Sequence, residues 1–379
     1  MIRKPALTVP FPQSAIRNPL FPLPPSPRLR VAASLLLLLS LFTTIAFAQS
    51  PAMVDMLRSQ DAAQRKQGMA LVFAQIDRDA QKLDAGPVRD WIAALREGKH
   101  NAEALQLIDR ALPLFQDRDN GMIVRLMAYK AAVSLDIGRK EDAIAFLSDS
   151  PHLESAIAIY VVDALQLSKP LLDAGLLTQY LDMIDQVTVI WTDDLNMLER
   201  ALSLRTKVLL AANQPQQALA SAKSLYNVCR MGETAIALGM VAKCLQAANP
   251  NDREIMIRFR DEQVVGASQA TTQPAAKSAI MAQVKISPTV YEKALGKDLF
   301  PTLAEEDFVK LTRMGNLLLL ADRPQDAKAW FEQAYRVCDD KQLANATESL
   351  ARVMKAEDGT IGRANAFLLA LRPGKVTAK

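Results

Sequence analysis

Histidine and cysteine are nearly missing from this chain, and aromatic residues are sparse. Two histidines, three cysteines and 6% Phe, Trp and Tyr serve 379 residues. Cys229, Cys244 and Cys338 are too few for a disulfide framework, and an odd number leaves at least one without an intramolecular partner. They read as small buried apolar side chains. Cys229 and Cys244 would stand about 20 Å apart along one helix, given its rise of about 1.5 Å per residue, which is beyond disulfide reach. His100 falls in a turn and His152 follows Pro151, where solvated or capping roles fit better than catalysis. HExxH, CxxC, GxSxG, Walker A and GxGxxG patterns are absent. Zinc hydrolase, dithiol redox, α/β-hydrolase and nucleotide readings therefore lack a starting motif. No catalytic, cofactor-binding or metal-ligating set is expected.

Acidic residues are missing from the amino end. Met1–Arg30 is rich in proline and carries Arg3, Lys4, Arg17, Arg28 and Arg30 without one Asp or Glu. An uncharged run from Val31 to Ala48 follows and closes on Ala46-Phe47-Ala48 before Gln49. A basic stretch, an apolar stretch and an A-x-A site form the layout of a secretory signal, with cleavage between Ala48 and Gln49. The run is also long enough for a marginal membrane span, so an uncleaved anchor stays open. The whole chain holds 45 basic and 41 acidic residues. Without the leader's five cations the balance is 40 basic to 41 acidic, so the remainder is close to neutral and its totals indicate no basic stripe for nucleic acid.

What the chain does contain is a copy of itself. Displaced by 109 positions, Asn213–Asn249 falls on Asp322–Asp358 without a gap. Pro215, Gln216, Ala218, Ala220, Tyr226, Val228 and Cys229 land on Pro324, Gln325, Ala327, Ala329, Tyr335, Val337 and Cys338. Apolar residues recur at helical spacing almost throughout, while no stretch alternates as a strand would. Half the chain is apolar, drawn mainly from Ala and Leu, which favours helix. The expectation is an all-α protein of antiparallel helix pairs. Residues 1–48 would be the leader, 49–265 a helical array, 266–286 a flexible insertion, 287–372 further helical repeats and 373–379 a disordered tail.

The clearest pair runs from Leu311 to Ala334. Leu311, Met314, Gly315 and Leu318 precede Ala327, Phe331 and Ala334, a spacing that resembles the tetratricopeptide repeat, W-x2-L-G-x2-Y then A-x3-F. Gly315 and Ala327 would let two helices approach closely, and Phe331 would fill the space to the next hairpin. Ala104, Ala143 and Ala218 fit the Ala327 position in weaker copies, at separations of 39, 75 and 109 residues along the series. The unit is slightly longer than the family's roughly 34 residues, and the family's closing proline is replaced by Ser155, Arg230 and Asp339. An irregular helical domain is the competing reading.

The resemblance implies an α-solenoid whose first helices line a concave groove for an extended peptide or a partner helix. In the best unit the groove positions would be Val309, Thr312, Asn316 and Leu319. The expected function is an exported scaffold that binds another protein, needs no cofactor, and touches membrane only if its leader stays attached. Two other readings remain: a helical toroid acting on glycans through Asp193 or Asp194, and the extracytoplasmic part of a membrane-tethered assembly factor. Asp193-Asp194 and Glu305-Glu306-Asp307 precede predicted helices, where acids favour the helix dipole, so structural roles fit them better.

Overall fold

The computed structural model describes residues 52–371 apart from 81, 117, 149–156, 269–276, 287–290, 292–293 and 296–302. The leader, with Ala48 and Gln49, lies outside the described residues, as do the 373–379 tail, His152 and Ser155. The described residues are helical and contain no strand. After α1 (52–58) come α2 (Ala62–Asp79), α3 (Ala85–Glu97), α4 (Asn101–Phe115), α5 (Asn120–Asp136), α6 (Glu141–Ser148), α7 (Ile157–Ala164) and α8 (Ser168–Asp173). Then follow α9 (Leu177–Ile190), α10 (Leu195–Ala211), α11 (Pro215–Val228), α12 (Thr234–Ala248) and α13 (Ile255–Ser268). The chain continues with α14 (Ala279–Gln283), α15 (Phe308–Leu320), α16 (Pro324–Val337), α17 (Leu343–Asp358) and α18 (Gly362–Leu371). No helix among the described residues is long and apolar enough to cross a membrane.

Short acidic side chains start several of these helices. Asp61, Asp119, Asp194 and Asp307 each accept a backbone N–H from the first turn, satisfying donors that have no intrahelical partner. α11 and α16 instead begin with proline, whose missing N–H costs nothing there. One closed turn then joins helix to helix. Lys99, Gly138, Gln166, Gly175, Asn213 and Asp322 all adopt left-handed backbone, with φ between 53° and 77°. The residue after each donates its N–H five residues back: His100 to Leu95, Arg139 to Ser134, Leu167 to Val162, Leu176 to Leu171, Gln214 to Leu209 and Arg323 to Leu318. These bonds of 2.8–3.0 Å satisfy the last carbonyls of the first helix and turn the chain back on itself. Lys99, Gly138, Gly175 and Asn213 stand 39, 37 and 38 residues apart.

The 109-residue duplication is conformational as well. Asn213 and Asp322 have φ of 57° and 58°. Cys229 and Cys338 end α11 and α16 at φ/ψ of −63°/149° and −68°/146°. The copies differ in what covers them. α11 is buried at every residue from Ser221 to Val228, whereas α16 buries only Ala327, Phe331 and Ala334. Tyr226 is 0% exposed and its counterpart Tyr335 is 38% exposed. The difference arises because α17, the last helix of the second copy, lies against α11 of the first.

The apolar core runs as three overlapping clusters in chain order: Met53 to Val133, Val124 to Val208, and Leu198 to Val353. The stretch expected to be a flexible insertion is, over its described residues 277–286, packed into the third. Met281 and Val284 are buried, Ser278 N–H donates to Asp358 O at 2.8 Å, and Lys223 Nζ donates to Val284 O at 2.8 Å. Its few apolar residues fall where they meet α11 and the turn at Gly359, which a poor overall apolar content conceals.

Candidate functional site

The positions assigned to helix packing are all interior. Ala104, Ala143, Ala218, Ala327, Phe331 and Ala334 are each 0% exposed. Gly315 faces Phe331 so closely that an added Cβ would stand 2.5 Å from ring Cζ and 2.8 Å from Cδ1. In the first copy, Thr206 and Ala222 occupy the places of Gly315 and Phe331. Bulk has moved from one helix to the other at the same crossing.

The positions assigned to a groove divide. Val309 is 50% exposed, and Thr312 is half-buried with its hydroxyl donating to Phe308 O at 2.7 Å. Asn316 and Leu319 are fully buried and line no groove. Asn316 Nδ2 donates to Thr192 O at 2.7 Å and its Oδ1 accepts from Arg352 Nη1 at 2.8 Å. The connection between α9 and α10, together with α17, covers this side of α15. In the first copy the four corresponding residues are Arg200, Ser203, Lys207 and Leu210; Arg200 and Lys207 are exposed, and Ser203 and Leu210 are half-buried.

Arg200, Ser203 and Lys207 line a cavity of about 540 Å³ between α7, α10 and the start of α12. Tyr160 of α7 and Ile236 of α12 flank it, 40% and 63% exposed. The Arg200 guanidinium lies 4.0 Å from the Tyr160 ring centroid and 3.9 Å from Asp163, so aromatic and acid hold it over the opening. Glu199 accepts from Arg230 backbone N–H at 2.8 Å and from its Nη2 at 2.6 Å. That hydrogen bond raises the Arg230 pKa above its ordinary value. Lys207 has no ion-pair partner among the described residues. A second cavity of about 320 Å³ lies between α3, α5 and the first residue of α7, lined by Arg89, Asp119, Met122, Arg125 and Ile157. Arg125 stands as far before the turn residue Gly138 as Arg200 stands before Asn213, so the two cavities open on corresponding helix faces.

Beneath the larger cavity lies a buried cluster of cations that sequence reasoning did not single out. Arg352 donates to Val228 O at 3.0 Å and Ser349 Oγ at 2.8 Å, with its guanidinium 5.4 Å from the Phe331 centroid. Lys355 Nζ donates to Cys229 O at 2.8 Å and lies 5.1 Å from the Tyr226 centroid. Both cations sit at the carbonyl end of α11, where the helix dipole favours positive charge. Burial lowers the Arg352 pKa to about 10 and the Lys355 pKa below its ordinary value. In sequence, Ser349, Arg352 and Lys355 repeat at every third position and look like a solvated stripe; only the docking of α17 on α11 distinguishes the two cases.

Asp194 serves as the cap of α10, with Oδ1 accepting from Asn196 N–H at 2.9 Å and Met197 N–H at 3.2 Å, while Asp193 is exposed. His100 is buried rather than solvated, because Gly98 leaves room for its ring beneath α3. No group of His, Cys, Asp and Glu suited to a metal ion occurs among the described residues. No family model, curated protein or solved structure matches the chain.

Proposed function

We propose that this protein is an exported α-solenoid, related in design to tetratricopeptide arrays, that holds an extended segment or helix of another protein along the first helices of its hairpins. The observation that carries the reading is the open cavity of about 540 Å³, where Tyr160, Arg200, Lys207 and Ile236 from successive hairpins converge. Exposed aromatic and aliphatic side chains beside adaptable cations suit a polypeptide ligand. Four of the six left-handed turns, at Lys99, Gly138, Gly175 and Asn213, stand 37–39 residues apart, which supports a repeat architecture. A basic and apolar leader ending at Ala48 supports export, with the membrane engaged only where that leader is retained. The groove needs no cofactor, and the near-neutral remainder of the chain gives no cause to expect nucleic acid.

A photo-crosslinking residue placed at Ile236 tests the groove, with the same residue at Val265 as the control. Val265 is 43% exposed on α13, away from the cavity lining. The groove position is expected to capture one discrete protein that the control does not, and Tyr160→Ala is expected to reduce that capture. Equal labelling from both positions would remove the groove reading. Amino-terminal sequencing of the protein recovered from cells tests the leader, with Gln49 expected as the first residue.

A further inference from the structure

Cys229 ends α11 with its Sγ 3.2 Å from Lys355 Nζ, and Lys355 is fully buried at 0% exposure. The other acceptors of that amine are Cys229 O at 2.8 Å and Thr234 Oγ1 at 3.4 Å; no carboxylate pairs with it among the described residues. Burial lowers the Lys355 pKa, which raises the share of neutral, nucleophilic amine. Cys229 is 1% exposed and belongs to the wall of the cavity between α7, α10 and α12, so one layer of side chains separates it from solvent there. The remaining cysteines are internal comparators. Among the described residues Cys244 is buried with no polar partner, and Cys338, the duplicate of Cys229, has its Sγ 3.2 Å from Tyr335 O with no lysine beside it.

We propose that Cys229 and Lys355 are a modification site, joined by peroxide oxidation into a nitrogen–sulfur cross-link that ties α11 to α17. Hydrogen peroxide transfers one oxygen to the thiol as its O–O bond breaks, giving a sulfenic acid and one water. The lone pair of the neutral Lys355 amine then attacks the sulfur. The S–O bond breaks, and the departing hydroxide takes a proton from nitrogen and leaves as a second water. The thiol is oxidised by two electrons and the peroxide is reduced to water, so no further reactant is required. A thiol reductant reverses the bond by attacking the same sulfur. The bridge would close a loop between residues 126 apart in sequence. It depends on the buried pair alone and not on what the groove binds.

The test is digestion and mass spectrometry of the folded protein after graded hydrogen peroxide. The expected product is a peptide pair carrying Cys229 and Lys355, two hydrogens lighter than the separate peptides and parted by dithiothreitol. Cys244 and Cys338 are expected to form no lysine link. Lys355→Arg keeps a long hydrogen-bond donor at this position but removes the amine nucleophile, so Cys229 is expected to persist as a sulfenic acid that dimedone traps. Should that variant not fold, the wild-type mass readout decides alone. A Cys229 that stays reduced or proceeds to sulfinic acid without the link overturns the inference, as does a linked product that retains oxygen.

Discussion

Substituting Gly315 with alanine sets two opposite effects against each other. Alanine favours a helix interior over glycine by about 1 kcal/mol. Here its Cβ would stand 2.5 Å from Phe331 Cζ, well inside van der Waals contact. The Phe331 ring is 0% exposed, and Arg352 lies over it at 5.4 Å, so the ring has no solvent side toward which to yield. Overpacking a closed core costs about 1–3 kcal/mol, which exceeds the propensity gain. Gly315→Ala is therefore expected to lower stability by about 1 kcal/mol, read as a lower urea midpoint with unchanged slope. Phe331→Ala alone is expected to cost about 3–5 kcal/mol through the cavity it leaves. The double variant is expected to be better than additive by about 1–2 kcal/mol, because alanine then occupies space the ring has vacated. The first copy already carries this kind of exchange, Thr206 opposite Ala222. A Gly315→Ala protein more stable than wild type, or strictly additive costs, would show that the Gly315–Phe331 contact does not limit the crossing.

Other perturbations follow from turns, ion pairs and titrating groups. Lys99 holds φ of 60° where the next hairpin uses Gly138, so Lys99→Gly is expected to raise stability by about 1 kcal/mol in thermal or urea unfolding. Lys223 is buried with Nζ 2.7 Å from Asp322 Oδ2, and Asp322→Asn keeps a residue that tolerates the left-handed turn while deleting the charge. A loss of about 1–3 kcal/mol is expected, together with faster amide exchange over residues 278–284. Burial raises the Cys244 thiol from 9.0 to about 11. The native state then keeps its proton while the unfolded state releases it, so this contribution is complete below pH 9 and fades as pH rises toward 11. Cys244→Ala is expected to flatten the fall in stability across that range by about 2 kcal/mol, measured against wild type at matched pH.

Local patterning disclosed more than long-range packing did. The spacing of Val88, Trp91, Ile92 and Leu95 locates the buried face of α3 because a helix repeats every 3.6 residues. Gly138 marks a turn because glycine adopts positive φ freely, and Gly98 announces the turn at Lys99, but Gln166 adopts positive φ without such a signal. The burial of Asn316 and Leu319, which were expected to line a groove, was not legible. Counting back 109 from Val309, Thr312 and Asn316 gives Arg200, Ser203 and Lys207, which line the large cavity. Which copy is open depends on α17 reaching α11, a contact spanning 124 residues between Arg352 and Val228. No window of local sequence contains that information.

That same contact orders the protein's biogenesis. Val228 and Cys229 leave the ribosome more than a hundred residues ahead of Arg352 and Lys355, which are their partners in the finished molecule. The carbonyl end of α11 and the Tyr226 ring stay uncovered until α17 has been made and docks on them. A chain stopped before residue 343 would therefore leave that end of α11, with its aromatic ring and free carbonyls, open to solvent.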